Sequence, residues 1–249
     1  MTGSDAAWLK EGERFDDLQR NQLKIIQSEK GFRFGMDAVL LSGFVRVQRN
    51  ENAMDLCSGN GIIPLLLSAK TEGKRFTGLE LLAESADMAA RSVAYNGLWN
   101  RISIVCGDVR DAAAQFGGSS FDVVTCNPPY MKGGHGLANT DDAVTIARHE
   151  VKLTLEELVR AAAFLVRPKG RVYLVHRPFR LTELIVRMHE ADIEVKRLRM
   201  VHPYADRKPN MVLVEGVRGG KPYLTVEPPL VVYEQPGIYT KEILTTYGY

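Results

Sequence analysis

Residues 54–63 read MDLCSGNGII. The apolar run Ala53–Cys57 predicts a short strand, and Gly59 and Gly61 predict a sharp turn that lets the backbone approach a ligand closely. Ile62–Lys70 predicts a helix, with Pro64 tolerated in its first turn. The position where a dinucleotide fingerprint would carry its third glycine is Pro64, which argues against a nicotinamide cofactor.

Working outward, short apolar runs alternate with amphipathic stretches. Arg75–Leu79, Ile102–Cys106, Phe121–Cys126, Arg171–His176 and Ile193–Val201 predict further strands. Ala83–Tyr95, Leu153–Val166 and Leu181–Glu190 predict helices, the second stopped by Pro168 and Gly170. Such alternation predicts a parallel sheet with crossover helices on both faces. The last strand of the series, Met211–Val217, follows its predecessor after only the loop His202–Asn210. That link permits a hairpin but no crossover helix, so this seventh strand should run antiparallel. A helix over Asp37–Val47 precedes the core, and an apolar strand, Leu230–Tyr233, follows it.

Composition narrows the function classes. The chain has 249 residues, 45% hydrophobic and 25% charged, with a formal net charge of +2. This is neither a disordered acidic chain nor a uniformly basic nucleic-acid coat. No apolar stretch approaches the roughly 20 residues of a bilayer span, and the first residues lack a signal-peptide core. Cys57, Cys106 and Cys126 make no metal-type spacing and no even disulfide set, so a reduced, cytoplasmic protein without metal is expected. Charge is uneven: residues 171–221 hold 11 Lys and Arg against 6 Asp and Glu. That surplus suits an anionic partner, although charge alone favours an ordinary solvated face.

In an open parallel sheet the chemistry gathers at the carboxyl ends of the strands. Glu80 ends the second strand about 20 residues after the glycine turn, where a carboxylate can take two ribose hydroxyls; the alternative is a carboxylate favoured by a helix N-terminus. Asp108 ends the third, as an acceptor for an adenine amine or as a helix cap. The fourth ends in Asn127-Pro128-Pro129-Tyr130. The prolines stiffen the chain. The Asn127 side-chain oxygen and the Pro128 carbonyl can then grip the two hydrogens of an amine, while Tyr130 offers a face for a planar base.

The order DLCSGNG, strand-end Glu, GD and NPPY resembles the class I S-adenosylmethionine-dependent methyltransferases that methylate amino groups. The expected fold is therefore α/β and Rossmann-like, with a seven-stranded, mostly parallel sheet and an antiparallel last strand. The flanks LKIIQSEKGFRFGMDAVLLSGF, ARHE at 147–150 and PLVVYEQPGIYTKEILTTYG are similar to the bacterial tRNA1(Val) adenine-37 N6-methyltransferases. One domain over 1–249 is expected, because neither end is large enough to form its own: a cap at 1–50, a core at 51–217 and an extension at 218–249 packed on the core. The resemblance implies S-adenosylmethionine as cofactor and tRNA as partner. Asp55, Cys57, Gly59 and Gly61 would line the methionine end, Glu80 the ribose and Asp108 the adenine. Phe34 and Asp37 would close over the methionine, and Asn127 would touch both cofactor and target. Asn127, Pro128, Pro129 and Tyr130 would carry the chemistry without a strong general base, so His149 is not assigned as one. The glycine-bearing loop 131–147 would be a substrate flap. The sixth strand would deliver Arg197, Arg199, Tyr204, Arg207 and Lys208 to the ligand edge, as RNA contacts. Adenine in ribosomal RNA or DNA, or a glutamine amide of a protein, remains an alternative substrate. A catalytically silent binding module is the alternative of a different class.

Overall fold

In the computed structural model, residues 6–29, 34–128 and 153–249 are described. The central sheet runs β3 (Asn52–Leu56), β4 (Arg75–Glu80), β5 (Ile102–Cys106), β6 (Phe121–Cys126), β7 (Val166–His176), β8 (Ile193–His202) and β9 (Met211–Arg218). Its spatial order is β5-β4-β3-β6-β7-β9-β8. β9 lies antiparallel between β7 and β8, as the short link 202–210 requires. The other six strands run in one direction, so all their carboxyl ends fall on one edge.

The sheet has nine strands rather than seven. Two short segments, β10 (Thr225–Val226) and β11 (Leu230–Val231), pair in parallel with β8. They cover backbone groups that an edge strand would otherwise leave open. β7 also starts earlier than Arg171. It begins at Val166, directly after a helix, and Phe121 and Val123 of β6 face Val166 and Arg171 across a bulge that absorbs Pro168 and Gly170.

Helices cover both faces. One face carries α1 (Met36–Phe44) and α2 (Ile62–Lys70), with α3 (Ala83–Tyr95) beside them; the other carries α4 (Ala112–Phe116), α5 (Leu155–Leu165) and α6 (Leu181–Glu190). The helix α5 begins with a capping box in which Thr154 and Glu157 satisfy each other's backbone N–H groups. Side chains alternate along each strand, and the two faces follow this period. Ala53 and Val123 belong to the first face, Met54, Leu56 and Val124 to the second. Asp55, Thr125, Gly78 and Glu80 therefore share the face of α1 and α2.

Two elements at the amino end have no counterpart in the sequence pattern. β1 (Glu13–Asp17) and β2 (Lys24–Ser28) form an antiparallel hairpin. It docks on α3: Asn96 brackets the backbone of Lys24 at 3.0 and 2.6 Å, and Ser92 Oγ accepts the Ile26 N–H at 2.9 Å. Arg91 clamps Glu13 and the Trp8 carbonyl. The helix before the core ends at Phe44, not Val47, because Val45 is already extended. The chain closes with the small hairpin β12 (Tyr233–Gln235) and β13 (Ile238–Tyr239) and a helix, α7 (Lys241–Tyr247). Arg20 of the amino-terminal hairpin donates to the carbonyls of Thr245 and Thr246, tying the two ends of the chain together. Among the described residues, no helix is long and apolar enough to cross a membrane.

Candidate active site

The turn after β3 is held in a tight, partly left-handed path: φ is 58° at Cys57, 57° at Gly59 and 82° at Gly61. Gly61 sits at the N-cap of α2, and a Cβ there would stand 3.0 Å from Ala89 Cβ as well as adopt an unfavourable φ. The strand glycine Gly78 has a different reason. A Cβ at that position would lie 2.6 Å from Ser58 Oγ, so its absence lets the turn fold down onto β4.

Glu80 is buried and grips the same turn. Its Oε2 accepts the Gly59 N–H at 2.8 Å and its Oε1 the Leu82 N–H at 2.9 Å. Leu82 is the N-cap of α3, so the helix-terminal role considered for this carboxylate is present. Each oxygen keeps a second lone pair for a ligand. Asp108 takes up its capping role too: it accepts the Arg110 N–H at 2.9 Å and pairs with the Arg110 guanidinium.

Asp55 is 2% exposed. Burial, with the charge of Glu80 adding to it, pushes its carboxyl up to about 7, against the Thr125 hydroxyl, which draws it down. Its Oδ1 accepts from Thr125 Oγ1 at 2.7 Å. Its Oδ2 is buried and, among the described residues, has no hydrogen-bond partner. Asn127 Oδ1, one position beyond β6, is likewise buried and unpartnered among them. Two buried acceptors without a partner among the described residues thus stand at neighbouring strand ends, with capacity to receive donors. The Cys126 thiol, raised by burial and by the adjacent Cys57 thiol, is neutral in this setting.

Phe34 and Asp37 stand at the amino end of α1. Phe34 packs against the core cluster of that face, and its N–H donates to Gln27 Oε1 at 3.1 Å; Asp37 Oδ1 accepts the Ala38 N–H at 3.0 Å. Two polar residues to which the sequence assigns no role belong here. Gln27 and Asn60 are 2% and 4% exposed and face each other at 3.4 Å. Gln27 leaves no signal in the sequence, because the hairpin that carries it has no clear strand pattern. Asn60 does leave one: it stands between the two glycines of the turn. Pro128 is buried beside Asn127. Pro129, Tyr130, the loop 131–147 and His149 lie outside the described residues.

The basic segment behaves differently from the expectation. The Arg197 guanidinium is fixed between Glu215 and Glu227, donates to the Phe44 carbonyl and lies over the Phe44 ring at 3.8 Å. Arg199 pairs with both oxygens of Glu242 and donates to the Pro228 carbonyl. Both hold the carboxyl-terminal extension to β8, so their guanidinium groups already have carboxylate partners within the chain. Much of the surplus in 171–221 is consumed in the same way, as with Arg171 on Glu51 and Arg187 on Glu156 and Glu190. Arg207 and Lys208 are exposed on the loop after β8, at the ligand edge. Tyr204 on that loop begins a run of rings, Tyr204–Tyr233–Tyr239–Tyr247, with successive centroids 5.5, 5.1 and 5.7 Å apart.

This arrangement agrees with what the chain is similar to. The family model described as "Methyltransferase small domain" matches residues 27–197. A tRNA1(Val) (adenine(37)-N6)-methyltransferase of Porphyromonas gingivalis is 29% identical over 206 residues, covering 80% of both chains. A protein of the same name from Tolumonas auensis is 26% identical over 224 residues, covering 90% of this chain and 91% of its own. Among solved structures, a predicted O-methyltransferase of Agrobacterium tumefaciens superposes with a TM-score of 0.69 at 22% identity, over 85% of this chain and 95% of its own. With the strand order, the orphaned acceptors at the strand ends and a match across most of its length, the chain belongs to the methyltransferase small domain family, and it is a methyltransferase.

Proposed function

We propose that the protein transfers a methyl group from S-adenosylmethionine to N6 of an unpaired adenine in tRNA, at position 37 of tRNA1(Val). The observation that carries the reading is a pair of buried acceptors, Asn127 Oδ1 and Asp55 Oδ2, at the ends of neighbouring strands with no partner among the described residues. The residues fit the cofactor. Asp55 offers an acceptor of negative charge for a cationic methionine end, Glu80 keeps lone pairs for ribose hydroxyls, and the turn 57–61 brings backbone close enough to line the ligand. Phe34 and Asp37 stand at the head of α1 on the same face. Asp108 is assigned to the adenine amine, which would take the place of the Arg110 guanidinium now held on both of its oxygens.

When bound, S-adenosylmethionine supplies an electrophilic methyl group on a sulfonium. The work of the chain is positioning. Asn127 Oδ1 and the Pro128 carbonyl accept the two N–H bonds of the target amine, which turns the nitrogen lone pair away from the ring and aims it along one line. As the nitrogen gains the methyl it becomes acidic and releases a proton to water, so no strong base is required. Pro129 stiffens the motif and Tyr130 stacks on the base. An adenine in an anticodon loop is already unpaired, which lowers the few kcal/mol that extrusion from a duplex costs.

Two features favour RNA over a protein amide: the similarity to the tRNA-modifying relatives, and Arg207, Lys208 and Tyr204 on a loop at the ligand edge. The test is nucleoside mass spectrometry of tRNA incubated with the protein and S-adenosylmethionine. N6-methyladenosine at position 37 of tRNA1(Val) is the expected product. Methylation of ribosomal RNA or DNA instead would move the substrate, and no transfer to any of them would overturn the reading.

A further inference from the structure

We propose that Gln27, on the amino-terminal hairpin, is a positioning residue for the cofactor: its carboxamide locks the glycine turn and the Phe34 segment into one unit. This rests on the reading of the site as one for S-adenosylmethionine. The geometry is specific. Gln27 Nε2 donates to Asp16 Oδ2, and Asp16 is itself held by Arg14 Nε and a terminal guanidinium nitrogen at 2.9 and 3.1 Å. The carboxylate can only accept, so it fixes which way the amide points. Gln27 Oε1 must then face inward, where it accepts the Phe34 N–H at 3.1 Å and Asn60 Nδ2 at 3.4 Å. Asn60 Nδ2 also reaches the Ile26 carbonyl at 3.4 Å.

One buried oxygen thus joins the hairpin to the start of α1, seven residues on, and to the glycine turn, 33 residues on. Asn60 lies between Gly59, whose N–H is held by Glu80, and Gly61, which starts α2. Phe34 lies two residues before α1, whose first turn holds Asp37. A hairpin needed only for packing would bury apolar side chains here. Instead it buries an amide 2% exposed beside an Asn 4% exposed, and the bonds from Asn60 Nδ2 and the Phe34 N–H to Gln27 Oε1 demand one arrangement of turn and cap, although Asn60 Oδ1 has no partner among the described residues. Removing the Gln27 oxygen leaves the Phe34 N–H and the Asn60 amide without their shared acceptor, and both sides of the methionine pocket then have no common reference.

The test separates positioning from simple attachment of the hairpin. Gln27→Met keeps the volume and removes the amide; Asn96→Ala weakens the same hairpin at the far end, where it holds Lys24 on α3 and touches no site residue. S-adenosylhomocysteine binding is measured by calorimetry, with thermal melting in parallel. Gln27→Met is expected to weaken binding roughly tenfold, the size of one hydrogen bond to a preorganised group, and to raise the KM for cofactor more than it lowers kcat. Asn60→Ala should do the same, and the double variant should be no worse than about either single one. Asn96→Ala should lower the melting temperature and leave affinity unchanged. Should Gln27→Met fail to fold, Asn60→Ala carries the same expectation from the turn side. Unchanged affinity in the Gln27 or Asn60 variant, or equal weakening by Asn96→Ala, overturns the proposal. Wild-type protein that does not bind S-adenosylhomocysteine overturns the cofactor reading itself, and this inference with it.

Discussion

Thr125 Oγ1 donates a 2.7 Å hydrogen bond to Asp55 Oδ1 across two neighbouring parallel strands, while Oδ2 of the same carboxylate is buried with no partner among the described residues. The pairing fixes the carboxylate but does not neutralise it. Because the group is buried, it is poised to titrate near neutrality, its carboxyl pushed up to about 7.

That poise sets a stability expectation. The Asp55 carboxyl is raised above its ordinary value of 3.8, so between about pH 4 and 7 the folded state holds a proton that the unfolded state has released. Stability from this group is therefore greatest at low pH and declines as pH rises through 7. Asp55→Asn should raise the melting temperature at pH 8, removing a penalty of about 2–4 kcal/mol, and should weaken S-adenosylhomocysteine binding. A melting temperature at pH 8 that falls would refute the buried-carboxylate account. In the wild type, a cationic ligand beside Asp55 should expel its proton. Calorimetry in buffers of different ionisation enthalpy, run slightly below neutral pH, should then detect proton release on binding.

His176 works in the opposite sense. Burial is the first cause that draws its imidazole down to about 4, with Arg180 adding to it. Below its ordinary value of 6.5 the unfolded state takes up a proton that the folded state refuses until about pH 4, so stability declines as pH falls through that window. His176→Gln should flatten the acid limb of the stability profile between pH 6.5 and about 4. An unchanged acid limb, by denaturant titration at several pH values, would show that the imidazole is not buried neutral.

Glu80→Ala should weaken cofactor binding by about 1.5–3 kcal/mol, the scale of hydrogen bonds to a charged group. Because Glu80 also holds the Gly59 N–H at 2.8 Å, the variant should speed hydrogen exchange at Gly59. Isothermal calorimetry and exchange mass spectrometry read the two effects, and intact affinity removes the ribose assignment.

Asn127→Ala should reduce turnover by about 10²- to 10³-fold, by analogy with removing one preorganised polar group. Cofactor affinity should change by much less, since Asn127 Oδ1 is assigned to the target amine. Single-turnover methyl transfer with saturating cofactor makes the measurement, and retained activity would remove the role of the NPPY segment.

The basic residues separate by function. Arg207→Ala with Lys208→Ala should lower tRNA affinity and make its salt dependence shallower, the log–log slope changing by about 0.7 for each phosphate no longer held. Arg199→Ala breaks the pair with Glu242 and should loosen α7, seen as a lower melting temperature, with the salt slope of RNA binding intact. Filter binding over a range of salt distinguishes the two, and a slope that responds to Arg199 alone would reverse the assignment.

Local sequence determined most of the frame. The strand runs, the helices Ile62–Lys70 and Ala83–Tyr95 and the antiparallel last strand are legible because period, punctuation and loop length are local properties. The strand-end residues Asp55, Glu80, Asp108 and Asn127 are legible for the same reason: in a parallel sheet the carboxyl ends share one edge, so position along a strand implies position in space. Three things needed the tertiary structure. The hairpin Glu13–Ser28 carries mixed, weakly alternating residues, and its stability comes from Asn96, Ser92 and Arg91 on a helix far along the chain. The fates of Arg197 and Arg199 depend on Glu215, Glu227 and Glu242, acids that sequence counts as charge but cannot place as partners. The shared oxygen of Gln27 depends on the glycine turn, 33 residues on, folding back onto the hairpin, and that approach is a property of packing that no local pattern encodes.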